Sequence, residues 1–184
     1  PDLTPLGEAA DGVVYLLNNT VMSSLTPQAT GAGVTYEIWP DLPDGLNIDA
    51  TSGIISGTPT KVITKTNFTV YGNGSGTPIV FSFFLQVLED TDRDGEPNEL
   101  PEDYPEDGDL IEDLDDDGDG ASDLSETGTG IYNGADDLGT DSLNPDTDGD
   151  GICDGPNAVP PVCLAGPDSN PVGTGPFGPT VLVN

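Results

Sequence analysis

Residues 146–155 read DTDGDGICDG, and they crowd Asp146, Asp148, Asp150 and Asp154 into one short stretch. Two carboxylates about 4 Å apart repel by roughly 1 kcal/mol in water, and by more at the lower dielectric of a protein surface. Such a stretch either stays unfolded, holding its charges apart, or curls around something positive.

The pattern occurs three times. The first copy has Asp90, Asp92, Asp94, Gly95 and Asn98, and the second has Asp115, Asp117, Asp119, Gly120, Asp123 and Glu126. The third has Asp146, Asp148, Asp150, Gly151 and Asp154. This is D-x-D-x-D-G-x-x-[DN], the ligand spacing of an EF-hand calcium loop. There, side chains at positions 1, 3, 5 and 9, a carbonyl at 7 and an acid at 12 surround the ion, and glycine at 6 makes the sharp turn. The position-7 carbonyls belong to Glu96, Ala121 and Ile152. Alternate side chains on a curled loop converge on one point, and Ca²⁺ takes six to eight hard oxygens. The spacing predicts three or more calcium ions. Mg²⁺ fits less well because it keeps its waters, and zinc less well because the chain has no histidine.

The twelfth position differs among copies. Glu126 closes the second. The first has Pro101 there, so Glu102 or Asp103 must substitute, and the third has Asn157. Asp113, Asp141 and Asp168 are further acids able to bridge neighbouring ions. A disordered acidic tail is the competing reading. Against it stand the glycine at one offset in all three copies and apolar residues at intervals, namely Leu110, Ile111, Leu124, Leu143 and Ile152.

The 184-residue chain carries a net charge of −31, with three basic residues against 34 acids. That excludes nucleic acid, whose phosphates need Lys and Arg, and anionic membrane surfaces. No apolar run reaches the roughly 18 residues of a membrane span. The chain opens at Pro1 with no visible signal peptide, which is expected of a mature or excised segment. Only seven of the 34 acids precede residue 89, whereas most aromatics do. The chain therefore divides into a part able to bury a core and a part unable to do so unaided.

In the first part, apolar residues alternate. Val34, Tyr36 and Ile38 share one face, as do Phe68 and Val70, and as do Ile79, Phe81, Phe83, Leu85 and Val87. Gly and Pro clusters separate these runs, and no helix-length pattern appears. The fold class is mainly β, a sandwich of about seven short strands. The stretch 36–60, YEIWPDLPDGLNIDATSGIISGTPT, resembles the immunoglobulin-like (cadherin-like) module of microbial surface proteins. Pro40, Leu42, Pro43, Gly45, Leu46, Gly53, Ile55, Gly57, Thr58, Pro59 and Thr60 match, and Ser52 stands where that family has Thr. The resemblance covers residues 13–89 and implies a spacer or adhesive unit without a catalytic site.

Helices flank a true EF-hand loop, but Pro and Gly forbid them here. The acidic part is instead similar to thrombospondin type 3 repeats, whose aspartate loops wrap calcium in place of a core. Residues 139–155 and 112–126 carry that similarity. The expected organisation is an extension at 1–12, an Ig-like β-sandwich at 13–89, thrombospondin type 3-like repeats at 90–170, and a Pro/Gly linker with a C-terminal strand at 171–184. The implied metal ligands are Asp90, Asp92, Asp94, Glu96, Asn98, Glu102, Asp113, Asp115, Asp117, Asp119, Ala121, Asp123, Glu126, Asp146, Asp148, Asp150, Ile152 and Asp154. Beside such loops Cys153 and Cys163 are expected to form a disulfide rather than a free thiol pair, contributing roughly 3 kcal/mol. Asn18, Asn67 and Asn73 lie in N-x-[ST] sequons, a pattern that chance alone produces about as often here.

No D-[ST]-G, base–nucleophile pair or phosphate loop is present, and calcium accounts for the spaced acids, so no enzyme is expected. The expected function is an extracellular calcium-binding structural protein, either a surface-protein segment or a filament subunit associating head to tail. The alternative is a cell-surface adhesin module binding carbohydrate or a partner cell. The closing TVLVN (180–184) would serve a filament by adding to a neighbour's sheet edge, or would fold back on its own β domain, or would begin a further domain.

Overall fold

The computed structural model describes residues 12–27, 33–74, 79–166, 168 and 170–173. The expected C-terminal strand at 180–184 lies outside them. The chain divides into two compact units, residues 1–112 and 113–184. Among the described residues regular structure is entirely β.

The first unit holds six strands: β1 Val13–Leu17, β2 Thr35–Trp39, β3 Leu46–Ile48, β4 Ile55–Gly57, β5 Ile63–Asn73 and β6 Ile79–Leu88. A four-stranded sheet runs β1-β6-β5-β2, and β3 pairs with β4 in a second sheet. β1 is parallel to β6, whereas β5 runs antiparallel to both β2 and β6. The inner faces enclose a core of Val14, Met22, Leu25, Tyr36, Leu46, Ile55, Phe68, Val70, Phe83, Leu85 and Val87. The period-2 alternation read from the sequence therefore faces inward as expected. About seven strands were expected and six occur among the described residues.

The GL and GTPT signature has a steric basis. Gly45 and Gly57 have φ of 90° and 136°, and a Cβ on either would strike the backbone of the other hairpin arm. That close approach lets Thr58 N–H reach Gly45 O at 3.1 Å and Thr60 N–H reach Asp44 O at 2.9 Å.

A second, smaller core lies on the outer face of the large sheet. Val13, Tyr15, Leu17 and Leu88 are covered there by Leu100, Tyr104 and Leu110. Tyr15 and Tyr104 meet edge to face with ring centroids 5.0 Å apart, and Leu110 N–H donates to the Tyr104 hydroxyl at 2.8 Å. Residues 90–112, grouped by the sequence with the calcium repeats, thus belong to the first compact unit.

In the second unit no apolar core of that kind forms among the described residues. Its buried residues are chiefly Asp113, Asp116, Asp117, Asp119, Glu126, Thr140 and Asp154, with Ala121 and the Cys153–Cys163 disulfide. Leu124 is 89 % exposed and Leu143 47 %, whereas Ile152 is half-buried, so of the spaced apolar residues in this unit Leu124 and Leu143 are not what holds it.

Candidate metal centre

All three aspartate loops close by the same side-chain to backbone hydrogen bonds. The position-3 carboxylate accepts the position-5 N–H: Asp92 from Asp94 at 3.0 Å, Asp117 from Asp119 at 3.2 Å, and Asp148 from Asp150 at 3.0 Å. The position-5 carboxylate accepts the position-7 N–H: Asp94 from Glu96 at 2.8 Å, Asp119 from Ala121 at 2.8 Å, and Asp150 from Ile152 at 2.7 Å. At position 1, Asp115 accepts Gly120 N–H and Asp146 accepts Gly151 N–H, each at 2.9 Å. Aspartates are suited to such turns because a short carboxylate reaches the backbone two residues on.

The position-9 side chain also ties the loop shut. Asn98 accepts Thr91 N–H at 3.0 Å, Asp123 accepts Asp116 N–H at 3.1 Å, and Asp154 accepts Thr147 N–H at 3.0 Å. An amide oxygen does this as well as a carboxylate, which explains Asn at this position. Glycine at position 6 has φ of 103°, 89° and 91° in the three loops, as the turn requires. Position 4 is left-handed as well, with φ of 69° at Arg93, 76° at Gly118 and 75° at Gly149. Sequence reasoning missed this second constraint, although the repeated DGDG carried it.

The loops gather carboxylates into four groups whose ligand oxygens lie within 4.8 Å of one another: Asp90, Asp92 and Asp94; Asp115, Asp117 and Asp119; Asp146, Asp148 and Asp150; and Asp119, Glu126 and Asp154. The fourth group joins two loops and was not legible in the motif. The second loop supplies Asp119 and Glu126, and the third supplies Asp154. Thr140 orients Glu126 by donating its hydroxyl to one carboxylate oxygen at 2.9 Å. Gly155 N–H donates to Asp119 Oδ2, and Asn157 N–H donates to Asp119 O at 2.6 Å.

The remaining expected ligands are placed as follows. Asp103 pairs with Lys65 at 2.9 Å, and Glu102 is exposed; neither is gathered with Asp90, Asp92 and Asp94. Asp113 accepts Asp115 N–H at 2.9 Å and is buried. Asn157 docks on the second loop, its N–H on Asp119 O and its side chain beside Gly120. Asp168 lies near the third loop, where burial and then the Asp150 and Asp146 carboxylates push its pKa up. Of the sequon asparagines, Asn67 and Asn73 are exposed, while Asn18 is half-buried and accepts Asp90 N–H at 3.2 Å.

Electrostatics mark the second loop. Burial pushes Asp117 up to about 8, and the Asp119 and Glu126 charges add to it. Burial likewise raises Glu126 to about 8 and Asp115 and Asp154 to about 6. One oxygen of each of Asp117, Glu126, Asp154 and Asp113 is shut off from solvent without a hydrogen-bond partner. Carboxylates buried this way are relieved either by protonation, as their raised pKa values express, or by a compensating cation. The donor set is entirely hard oxygen, the chain has no histidine, and both cysteines are consumed in the disulfide. The residues present fit Ca²⁺ rather than a thiophilic metal.

Residues 7–88 match the family model described as "Putative Ig domain", in accord with the β-sandwich. No curated protein matches the chain. Among solved structures, a protein described as a putative alpha-galactosidase of Bacteroides fragilis is 19 % identical, with 43 % of this chain and 16 % of that one covered, at a TM-score of 0.36. Extracellular domains 3–5 of Drosophila OTK are 20 % identical, covering 40 % of this chain and 26 % of that one at a TM-score of 0.32. The EC1-2 fragment of human protocadherin-24 is 11 % identical, covering 45 % and 44 % at a TM-score of 0.34.

Proposed function

We propose that the chain is an extracellular structural module whose second unit is held together by bound Ca²⁺. The observation that carries this reading is the pair of groups that meet at Asp119, one with Asp115 and Asp117 and the other with Glu126 and Asp154. Asp117, Asp119, Glu126 and Asp154 are buried, and Asp117, Glu126 and Asp154 each have an oxygen with no partner. With no apolar core among the described residues of this unit, a cation is the physical element that reverses the mutual repulsion. Each loop would hold an ion through its aspartates and its position-7 carbonyl, and Asp119 would be shared between the second loop and the group it forms with Glu126 and Asp154. The disulfide and the Ig-like sandwich fit an oxidising, extracellular setting. Among the described residues no helix is long and apolar enough to cross a membrane. A protein serving as a surface segment or as a head-to-tail filament subunit needs such calcium-stiffened parts, and no catalytic role is assigned. Calorimetric titration of the chelated chain with Ca²⁺ tests the reading. Three or more bound ions are expected, and no binding at millimolar calcium would reject it. Electron microscopy with and without calcium tests assembly.

The adhesive alternative has an observation of its own. On the uncovered part of the outer sheet face, Trp39 is 71 % exposed, and Tyr71, Val80 and Phe84 are exposed beside it. Aromatic faces flanked by Asn67, Thr69 and Ser82 suit a carbohydrate, which stacks on rings and hydrogen bonds at its edges. Loss of glycan-array binding in Trp39→Ala would support it; an array without hits for the wild type would reject it.

A further inference from the structure

The cation site between the second and third loops depends on a stretch that a disulfide closes. Asp154, Gly155 and Asn157 all lie between Cys153 and Cys163, and all three reach the second loop. Asp154 faces Asp119 and Glu126, Gly155 N–H donates to Asp119 Oδ2, and Asn157 N–H donates to Asp119 O. Its N-terminal end is also held by the third loop, through Asp154 N–H to Pro145 O and Thr147 N–H to Asp154, each at 3.0 Å, and its far end turns on Val159 O, which accepts Val162 N–H at 2.8 Å and Cys163 N–H at 3.1 Å. Pro156, Asn157, Ala158, Pro160, Pro161 and Val162 are exposed, whereas Cys153 and Cys163 are fully buried. Main-chain bonds on either side, Cys153 N–H to Leu164 O and Leu164 N–H to Gly151 O, both at 3.0 Å, clamp the ends where the disulfide joins them. Glu126 and Asp154 each have a buried oxygen without a partner, and both belong to this site, so the site itself asks for a ligand.

We infer that the disulfide assembles this site, so that cation affinity at Asp119, Glu126 and Asp154 follows the redox state of Cys153 and Cys163. The inference rests on the calcium reading above. Reduction by a dithiol proceeds by thiol–disulfide exchange. Two electrons pass to the cysteine sulfurs, two protons yield two thiols, and the reductant leaves as its own disulfide. The stretch beyond Asp154 then gains freedom, and the grip of Gly155 and Asn157 on Asp119, which seats Asp154 against it, loosens. Linkage makes the effect reciprocal: if the disulfide strengthens cation binding, the cation must oppose reduction.

The test uses the full chain and Ca²⁺ alone. Calcium titration of the oxidised protein, its reduced form and the Cys153→Ser/Cys163→Ser variant is expected to show one class of site weakened about tenfold or more on loss of the bond, the scale set by a short disulfide loop. Asp154→Asn, with the disulfide intact, should weaken the same class. The equilibrium of reduction in a dithiol redox buffer needs no variant that loses the disulfide. Calcium should shift it toward the disulfide in the wild type about tenfold, and much less in Asp154→Asn. A reduction equilibrium unaffected by calcium in a wild type that binds calcium would overturn the inference, as would unchanged affinity in a folded double-serine variant. An oxidised wild type that binds no calcium would instead reject the calcium reading on which it rests.

Discussion

Asp119 and Asp154, each on its own aspartate loop, bring carboxylate oxygens within 4.8 Å of each other and of Glu126. Asp154 spends one oxygen on Thr147 N–H within its own loop, and its other oxygen is buried without a partner. One residue thus closes its loop and meets the loop before it.

Gly155→Ala should damage that junction. A Cβ there would collide with Asp119 Oδ1 and the Ala121 backbone nitrogen. With calcium present, the second unit is expected to lose about 2–3 kcal/mol, the range for a steric insertion at a packed contact. Differential scanning calorimetry should show that transition fall while the β-sandwich transition stays in place.

Chelation should separate the two units. Each site at calcium about 100-fold above its dissociation constant adds about 2.7 kcal/mol, so removing several ions outweighs the stability of a unit whose described residues form no apolar core. Residues 113–173 are expected to lose hydrogen-exchange protection, while β5, β6 and the Leu100–Tyr104–Leu110 cover keep theirs. Equal protection with and without chelator would contradict this.

The pH dependence follows from the raised carboxyls. Asp117 and Glu126 sit at about 8, and Asp115 and Asp154 at about 6, against about 4 when unfolded. Without metal, the stability these groups confer is therefore fully present below about pH 4 and is lost as pH rises through 6 to 8. Calcium reverses the trend, because it binds the ionised forms and must displace their protons. Titrations at pH 6.5 in two buffers of different ionisation enthalpy should report proton release, and calcium affinity should rise up to about pH 8.

Asp117→Ala and Asn98→Ala should fail differently. Asp117 is buried with one oxygen free for an ion, so its loss should remove calcium affinity at the second loop. Asn98 holds Thr91 through both its amide groups, accepting the N–H at 3.0 Å and donating to the hydroxyl at 2.9 Å. Its loss should cost the first unit about 1–2 kcal/mol with a smaller change in calcium affinity. Calcium titration and thermal melts of both variants check the order.

Tyr104→Ala should destabilise the first unit by about 2–3 kcal/mol, since it removes the ring against Tyr15 and the hydroxyl that accepts Leu110 N–H. A chemical denaturation midpoint unchanged from wild type would show that the outer-face core contributes nothing.

The sequence by itself determined what short-range chemistry determines. Alternation placed Tyr36, Phe68, Val70, Phe83, Leu85 and Val87 on inward faces, because a strand's period of two permits one arrangement against a single core. The D-x-D-x-D-G spacing determined three curled loops, because each turn is made by a side chain and a backbone group two residues apart. The pairing of Cys153 with Cys163, expected from the resemblance to calcium-loop repeats of extracellular proteins, is present. Only the tertiary structure decided which loops meet. That Asp154 completes a group with Asp119 and Glu126, that Asn157 docks on the second loop, and that Asp103 pairs with Lys65 are long-range outcomes. They depend on how the chain between loops folds, and spacing within a loop carries no information about it. The same holds for Leu100, Tyr104 and Leu110, which look like residues of an acidic repeat in the sequence. They settle on the sheet because the outer faces of β1 and β6 present Val13, Tyr15, Leu17 and Leu88, whose apolar surface gains by being covered.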